Sequence, residues 1–135
     1  MTGRPRAQVR GARVGFGRGT ALGLVLVLAH GGAAHWVAPE TIVAALNAEQ
    51  ARAKTGVVRA ERDEKAPRLL VIRVGEGWYA RPVAARKVDA AAWSEHWRAN
   101  VPQGIVAVLD ARTSTPVVQF RRGEVVQITP SAPAP

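Results

Sequence analysis

Two uninterrupted apolar runs constrain the fold of this 135-residue chain more than any other feature. They are Leu69–Ile72 and Ile105–Leu109, and each is flanked by polar or turn-forming residues. Such runs are too short for most helices and are typical of strands that are covered on both faces. The sequence therefore predicts two buried strands, around which the remaining elements must be arranged.

The first half of the chain predicts one helix followed by three strands. Pro39 suits the first helical position, and Gly56 ends the helix. Val57–Arg62 is a candidate strand before the first apolar run. The glycines of Gly75–Gly77 indicate a hairpin turn, and Trp78-Tyr79 would begin the returning strand.

The second half predicts the same order of elements. Asp89 is a suitable N-cap for a helix over Ala90–Ala99. The second apolar run follows, then a turn at Asp110–Thr115 and strands at Val117–Phe120 and Glu124–Ile128. We expect six side chains of the chain to be mostly buried: Leu70, Ile72, Trp93, Trp97, Val106 and Val108.

These elements predict an α+β fold, in which two helices pack on a mostly antiparallel sheet. The halves align at an offset of 48 residues, with Leu69-Leu70 on Val117-Val118, so a duplicated α-β-β-β unit is one interpretation. Residues 35–129 would form a single domain. The Pro- and Ala-rich residues 130–135 have little to bury, and we expect them to be disordered.

The N-terminal segment has the pattern of a secretory signal peptide. Five arginines and no acid precede an apolar core, and the small residues Gly31–Ala34 follow it. Residues 1–34 would then be removed on export. Alternatively, the uncharged residues 19–39 form an uncleaved anchor in the inner membrane. In both cases the domain would be exported, and we expect a periplasmic, secreted or membrane-anchored protein.

Charge and composition argue against several functions. The net charge is +9, but five of the 19 basic residues and none of the 10 acids precede residue 35, so the remainder carries +4. Its charges are interspersed, which does not favour nucleic-acid binding. The chain lacks cysteine, so disulfides and thiolate sites are excluded. No catalytic motif stands out, and we expect the protein not to be an enzyme.

Aromatic and basic residues near the predicted hairpin are the candidate contact site. Trp78 and Tyr79 are adjacent, so on a strand their side chains would point to opposite faces. An exposed aromatic beside Arg73 and Arg81 would suit contact with a partner or a glycan. The sequence therefore predicts a small non-catalytic binding or accessory protein that acts on a protein partner in the cell envelope.

The turn after the second apolar run suggests an alternative function. Its residues Asp110-Ala111-Arg112-Thr113 resemble the Asp-Ala-x-Thr-Gly turn common in PepSY domains, small extracytoplasmic modules associated with propeptides and peptidase inhibition. Ser114 stands where that pattern has glycine, and the resemblance covers only a short part of the chain. It implies an inhibitor or regulator of a peptidase.

A second alternative is a periplasmic copper-binding protein. If the signal is cleaved after Ala34, the mature chain begins at His35, whose amine and imidazole nitrogens would suit Cu(II). His96 is the available second imidazole. Cleavage after Ala33 would remove the terminal histidine ligand. Apart from this copper alternative, we expect no cofactor.

Overall fold

The computed structural model describes residues 36–135, and this part of the chain forms four helices and five strands. In chain order they are α1 (Pro39–Asn47), α2 (Glu49–Thr55), β1 (Val57–Arg62), β2 (Leu69–Val74), α3 (Glu76–Tyr79), α4 (Val83–Asn100), β3 (Ile105–Asp110), β4 (Val118–Arg121) and β5 (Glu124–Ile128). The predicted α+β class is confirmed. No helix in this range has both the length and the apolar character needed to cross a membrane.

The strands form a three-stranded sheet, in the order β1-β2-β3, and a two-stranded β4-β5 ribbon. β1 pairs with β2 and β4 pairs with β5 in antiparallel fashion, whereas β2 and β3 are parallel. The ribbon joins the larger sheet because the Val117 N–H donates to the Val108 carbonyl at 2.9 Å. The sheet is therefore mostly antiparallel, as predicted, and α4 makes the crossover that the parallel pair requires.

The core lies between the helices and one face of the three-stranded sheet. Alternate residues of β2 and β3 are buried, and Trp97 of α4 packs among them. Trp97 also donates its indole N–H to the Arg68 carbonyl at 2.7 Å, which ties α4 to the start of β2. Five of the six residues expected in the core are buried (Leu70, Ile72, Trp97, Val106 and Val108), and Trp93 is half-buried.

Asn47 explains why the first helix is interrupted. Its side-chain amide donates to the Ala60 carbonyl at 2.7 Å and accepts from the Ala60 N–H at 2.8 Å. The side chain therefore pairs with the backbone of Ala60 on the edge strand β1, as a residue of a neighbouring strand would. Ala48 then takes an extended conformation, with ψ of 138°, and α2 starts at Glu49. The single helix predicted before Gly56 is two helices.

The predicted hairpin at Gly75–Gly77 is wrong. Trp78 and Tyr79 belong to the one-turn helix α3 and begin no strand. Gly56, at φ of 82°, lies directly against this turn, and a Cβ at Gly56 would overlap the Trp78 backbone nitrogen. Two glycines, Gly56 and Gly77, therefore allow a close backbone approach that has no signature in the local sequence.

The predicted start of the second helix is also wrong. α4 begins at Val83, after Pro82, instead of at Ala90. The Asp89 side chain caps no helix and instead forms an ion pair with Arg81, which precedes α4. Pro82 provides the physical reason, because its fixed φ lets the chain enter a helix immediately after α3.

The element order does not support a duplicated α-β-β-β unit. The first half has two strands followed by α3, whereas the second half has three strands. The predicted covering of both faces of β2 and β3 is also wrong within residues 36–135, because burial alternates along both strands. The predicted strands at Val57–Arg62 and Glu124–Ile128 are confirmed, as is the turn at Asp110–Thr115.

Candidate functional site

The residues predicted to contact a partner do not form one surface. Trp78 is fully buried and stacks on Trp93, with ring centroids 5.4 Å apart. Arg81 is engaged with Asp89. Arg73 is half-buried on the other face of the sheet and donates to the Ser114 hydroxyl at 3.1 Å. Burial of Trp78 removes it from any contact surface in this structure.

Tyr79 and Asp110 form a hydrogen-bonded pair that links α3 to the end of β3. The Tyr79 hydroxyl donates to Asp110 Oδ2 at 2.7 Å. Asp110 Oδ1 accepts from the N–H groups of Arg112 and Thr113 and from the Thr113 hydroxyl. The bonds from Tyr79 and Thr113 hold the pKa of Asp110 below its usual value, whereas burial and then the bond to Asp110 raise the pKa of Tyr79.

This pairing favours a structural role for both groups. A carboxylate that accepts four hydrogen bonds and has a lowered pKa is a poor general acid or base near neutral pH. A phenol with a raised pKa is a poor nucleophile. The segment that resembles a PepSY turn is therefore held together by its own aspartate, which closes the turn between β3 and β4.

Arg86 is a buried cation that holds the C-terminal segment in place. Its guanidinium donates to the carbonyls of Arg81, Thr129 and Pro130 at 3.0–3.1 Å. It also lies 5.9 Å from the ring centroids of Trp78 and Tyr79, within the range of a cation–π contact. Pro130, the first residue of the tail that we expected to be disordered, is therefore held by Arg86. Residues 131–135 contain no helix or strand.

The copper prediction is only partly within the described residues. His96 is half-buried on α4, and its backbone carbonyl accepts from the Asn100 side chain at 2.9 Å. His35 lies outside the described residues. Within residues 36–135 no group of three or more histidine, aspartate or glutamate side chains is placed to hold a metal ion.

The second face of the three-stranded sheet is an apolar surface that the described elements leave open. Its aliphatic residues are Leu69 and Val71 of β2 and Ile105, Ala107 and Leu109 of β3, and we call them the open face. Four are half-buried, and Ile105 is 46% exposed. In the sheet register Leu69 lies beside Ile105 and Val71 beside Ala107, so the five side chains are contiguous. The β1 side of this face is polar, because Glu61 forms ion pairs there with Arg59 and Arg73.

A groove rich in arginine adjoins one end of the open face. Its volume is about 430 Å³, and we call it the arginine groove. Arg68, Arg98 and Arg122 line it together with Phe120, and Ile105 belongs to both the groove and the open face. The groove's buried lining residues are Ser94, Gly104 and Val106. Sequence reasoning missed this site, because its arginines come from a loop, a helix and a hairpin turn.

The comparisons with known proteins leave the family undefined. No family model matches the chain, and no curated protein or solved structure matches it. The PepSY resemblance stays a prediction that rests on the turn at Asp110–Thr113.

Proposed function

We propose that this chain is an exported, non-catalytic binding protein that docks on a protein partner in the cell envelope through the open face. The observation that carries the proposal is the contrast between the two faces of β2 and β3. One face is packed against helices, while the other presents five contiguous aliphatic side chains that are only partly covered. A contiguous apolar patch with a polar rim is characteristic of protein interaction sites.

The open face supports a protein partner better than other ligands. A sheet surface without a deep cavity has little to enclose a small molecule, whereas it matches the flat apolar core of a protein interface. The polar rim of the open face also matches that of a protein interface. Glu61 forms ion pairs there with Arg59 and Arg73, and the aliphatic centre of the patch carries no charge. The same ion pairs partly offset the charges of Arg59 and Arg73, so this face does not present a basic stripe of the kind that favours nucleic acids.

Site-specific photocrosslinking would identify what covers the open face. We expect benzoylphenylalanine at Val71 to crosslink the full-length protein to another envelope protein, identified by mass spectrometry, because Val71 lies at the centre of the patch. Benzoylphenylalanine at Val126, an exposed residue of β5 outside the patch, is the matched control. Crosslinks only to the chain's own residues, whether to a second copy or to residues 1–35, would overturn the proposal.

Variants of opposite charge would test whether apolar contact drives the binding. Val71→Lys places an ammonium opposite Glu61, and Leu109→Glu places a carboxylate opposite Arg73, so each new charge has a cross-strand partner. Both should remove the crosslinked partner from pull-downs, because each buries a charge in an apolar contact. Val126→Lys and Val126→Glu should retain it. Loss with only one sign of charge would indicate an electrostatic contact instead.

Export is supported by the sequence pattern of the first 34 residues. Residues 1–40 fused to a reporter that is active only outside the cytoplasm should give signal. Replacing Leu24 and Leu26 with arginine should abolish it, because the apolar core of the signal would be interrupted. Full-length protein in the cytoplasm with Met1 intact would contradict this part of the proposal.

A further inference from the structure

We propose that the arginine groove binds a carboxylate-bearing segment of the same partner that docks on the open face. This inference rests on the proposed function and adds the chemistry of the partner: an extended segment with aliphatic side chains followed by acidic ones. Three properties of the groove support this: its charge, its shape and its position beside the open face.

The groove concentrates positive charge without internal compensation. Three of its lining residues are arginines and none is acidic. Among the residues that the structure describes, no carboxylate lies within ion-pair distance of Arg68, Arg98 or Arg122. Arginine presents a planar fork of N–H donors that matches a carboxylate, so three such groups around one groove favour an anionic ligand.

One of the three guanidinium groups is already held in place. Arg98 donates to the Arg122 carbonyl, and its guanidinium occupies the space where a Cβ at Gly123 would lie. A side chain that is ordered before binding loses less conformational entropy when a ligand arrives. The arginine groove is large enough for a few side chains, and Phe120 forms an apolar wall of it.

The surroundings of the groove give the bound segment a direction. At one end Ile105 connects the groove to the open face. Beyond Arg98 and Arg122, the neighbouring depression has mixed charge, because Lys87 lines it together with Glu95 and Glu124. The segment is therefore placed with its aliphatic residues over the open face and its carboxylates among the arginines, where no acidic side chain lines the groove.

A defined peptide tests the pairing of aliphatic and acidic residues. The probe is a fluorescent peptide of alternating leucine and valine followed by a run of glutamates, titrated into the full-length protein. Replacing its glutamates with glutamines should weaken binding about tenfold or more, because charge-assisted contacts are lost. Binding should also weaken as ionic strength rises.

Variants of the groove provide the matched comparison. The triple variant Arg68→Gln, Arg98→Gln, Arg122→Asn should lose binding to the same extent, and asparagine suits Arg122 because that residue has φ of 53°. The control Arg52→Gln, Arg112→Gln, Arg121→Gln removes the same charge from exposed arginines outside the groove and should bind normally. An equal loss of peptide binding in both variants would show that the peptide is held by non-specific electrostatic attraction and not by the groove.

Other outcomes separate this inference from the proposed function. Undiminished partner capture by the groove variant, with loss in Val71→Lys, would overturn the acidic segment and leave docking on the open face intact. Groove-dependent binding of inorganic phosphate or phosphatidylglycerol vesicles, with no preference for the glutamate peptide, would assign the groove to phosphate groups instead. If the groove variant fails to fold, the glutamate and glutamine peptides on the unmodified protein still decide the question.

Discussion

Asp110 connects two parts of the fold through a single carboxylate. One of its oxygens accepts from the backbone N–H groups of Arg112 and Thr113, which closes the turn after β3. The other accepts from the hydroxyl of Tyr79, which lies 31 positions earlier on α3. The side chain therefore stabilises both the local turn and the contact between α3 and the end of β3.

The lowered pKa of Asp110 predicts a loss of stability in acid. Because the folded-state pKa lies below the unfolded-state value, its contribution is present above that unfolded value, about 3.9, and is lost as pH falls through the folded value. Asp110→Asn should therefore lower the free energy of unfolding at pH 7 and flatten its decline in acid. Urea titrations from neutral pH to below the unfolded-state pKa of aspartate would measure both effects. An unchanged acid slope would show that other carboxylates carry the pH dependence.

Arg86 should be among the most sensitive polar positions. Arg86→Met removes donors from three carbonyls, and we expect it to lower the free energy of unfolding by about 2–4 kcal/mol. Arg86→Lys should recover part of this loss, since an ammonium keeps the charge but not the planar fork. Arg52→Met, at an exposed position, should change stability by no more than about 0.5 kcal/mol. Equal effects at Arg86 and Arg52 would contradict the structural role.

At the scale of elements, strands were predicted better than helix boundaries. The two uninterrupted apolar runs locate β2 and β3, because a short apolar run bounded by polar or turn-forming residues is typical of a strand. α3 was missed because the glycines around Trp78 also fit a hairpin, and the contact that selects a helical turn comes from Gly56, far earlier in the chain. Long-range packing overrides a local turn signal here.

Gly56 should therefore be essential for the docking of α3. Gly56→Ala adds a Cβ at φ of 82°, which strains the backbone by about 1–3 kcal/mol, and also forces the Trp78 backbone away. Gly123→Ala is the matched control, because it has a similar φ of 86° but its Cβ meets the exposed Arg98 side chain, which can move aside by giving up its bond to the Arg122 carbonyl. Thermal unfolding should show a clearly larger loss for Gly56→Ala. Equal losses would mean that conformational strain alone matters and that the close approach is unimportant.

At the scale of the whole molecule, the position of the candidate site could not be predicted from the sequence. The open face follows from the apolar runs themselves, but the runs predicted two covered faces, and only the structure shows which face the helices leave open. The arginine groove requires residues 68, 98 and 122 to meet, and nothing in their spacing indicates this. Both surfaces depend on the parallel pairing of β2 and β3, which brings the open face and the loop before β3 together.

Adjacent residues of β2 should separate stability from binding, because they point to opposite faces of the sheet. Ile72 is fully buried against the helices, so Ile72→Ala should lower the free energy of unfolding by about 2–5 kcal/mol. Its folded fraction should still capture the partner, since the open face is unchanged. Val71→Lys should show the reverse pattern, with stability within about 1 kcal/mol of the unmodified protein and no partner captured. Urea unfolding and pull-down on the same samples measure both quantities. If Val71→Lys unfolds the protein as readily as Ile72→Ala does, Val71 belongs to the core, and the open face is covered by the chain itself.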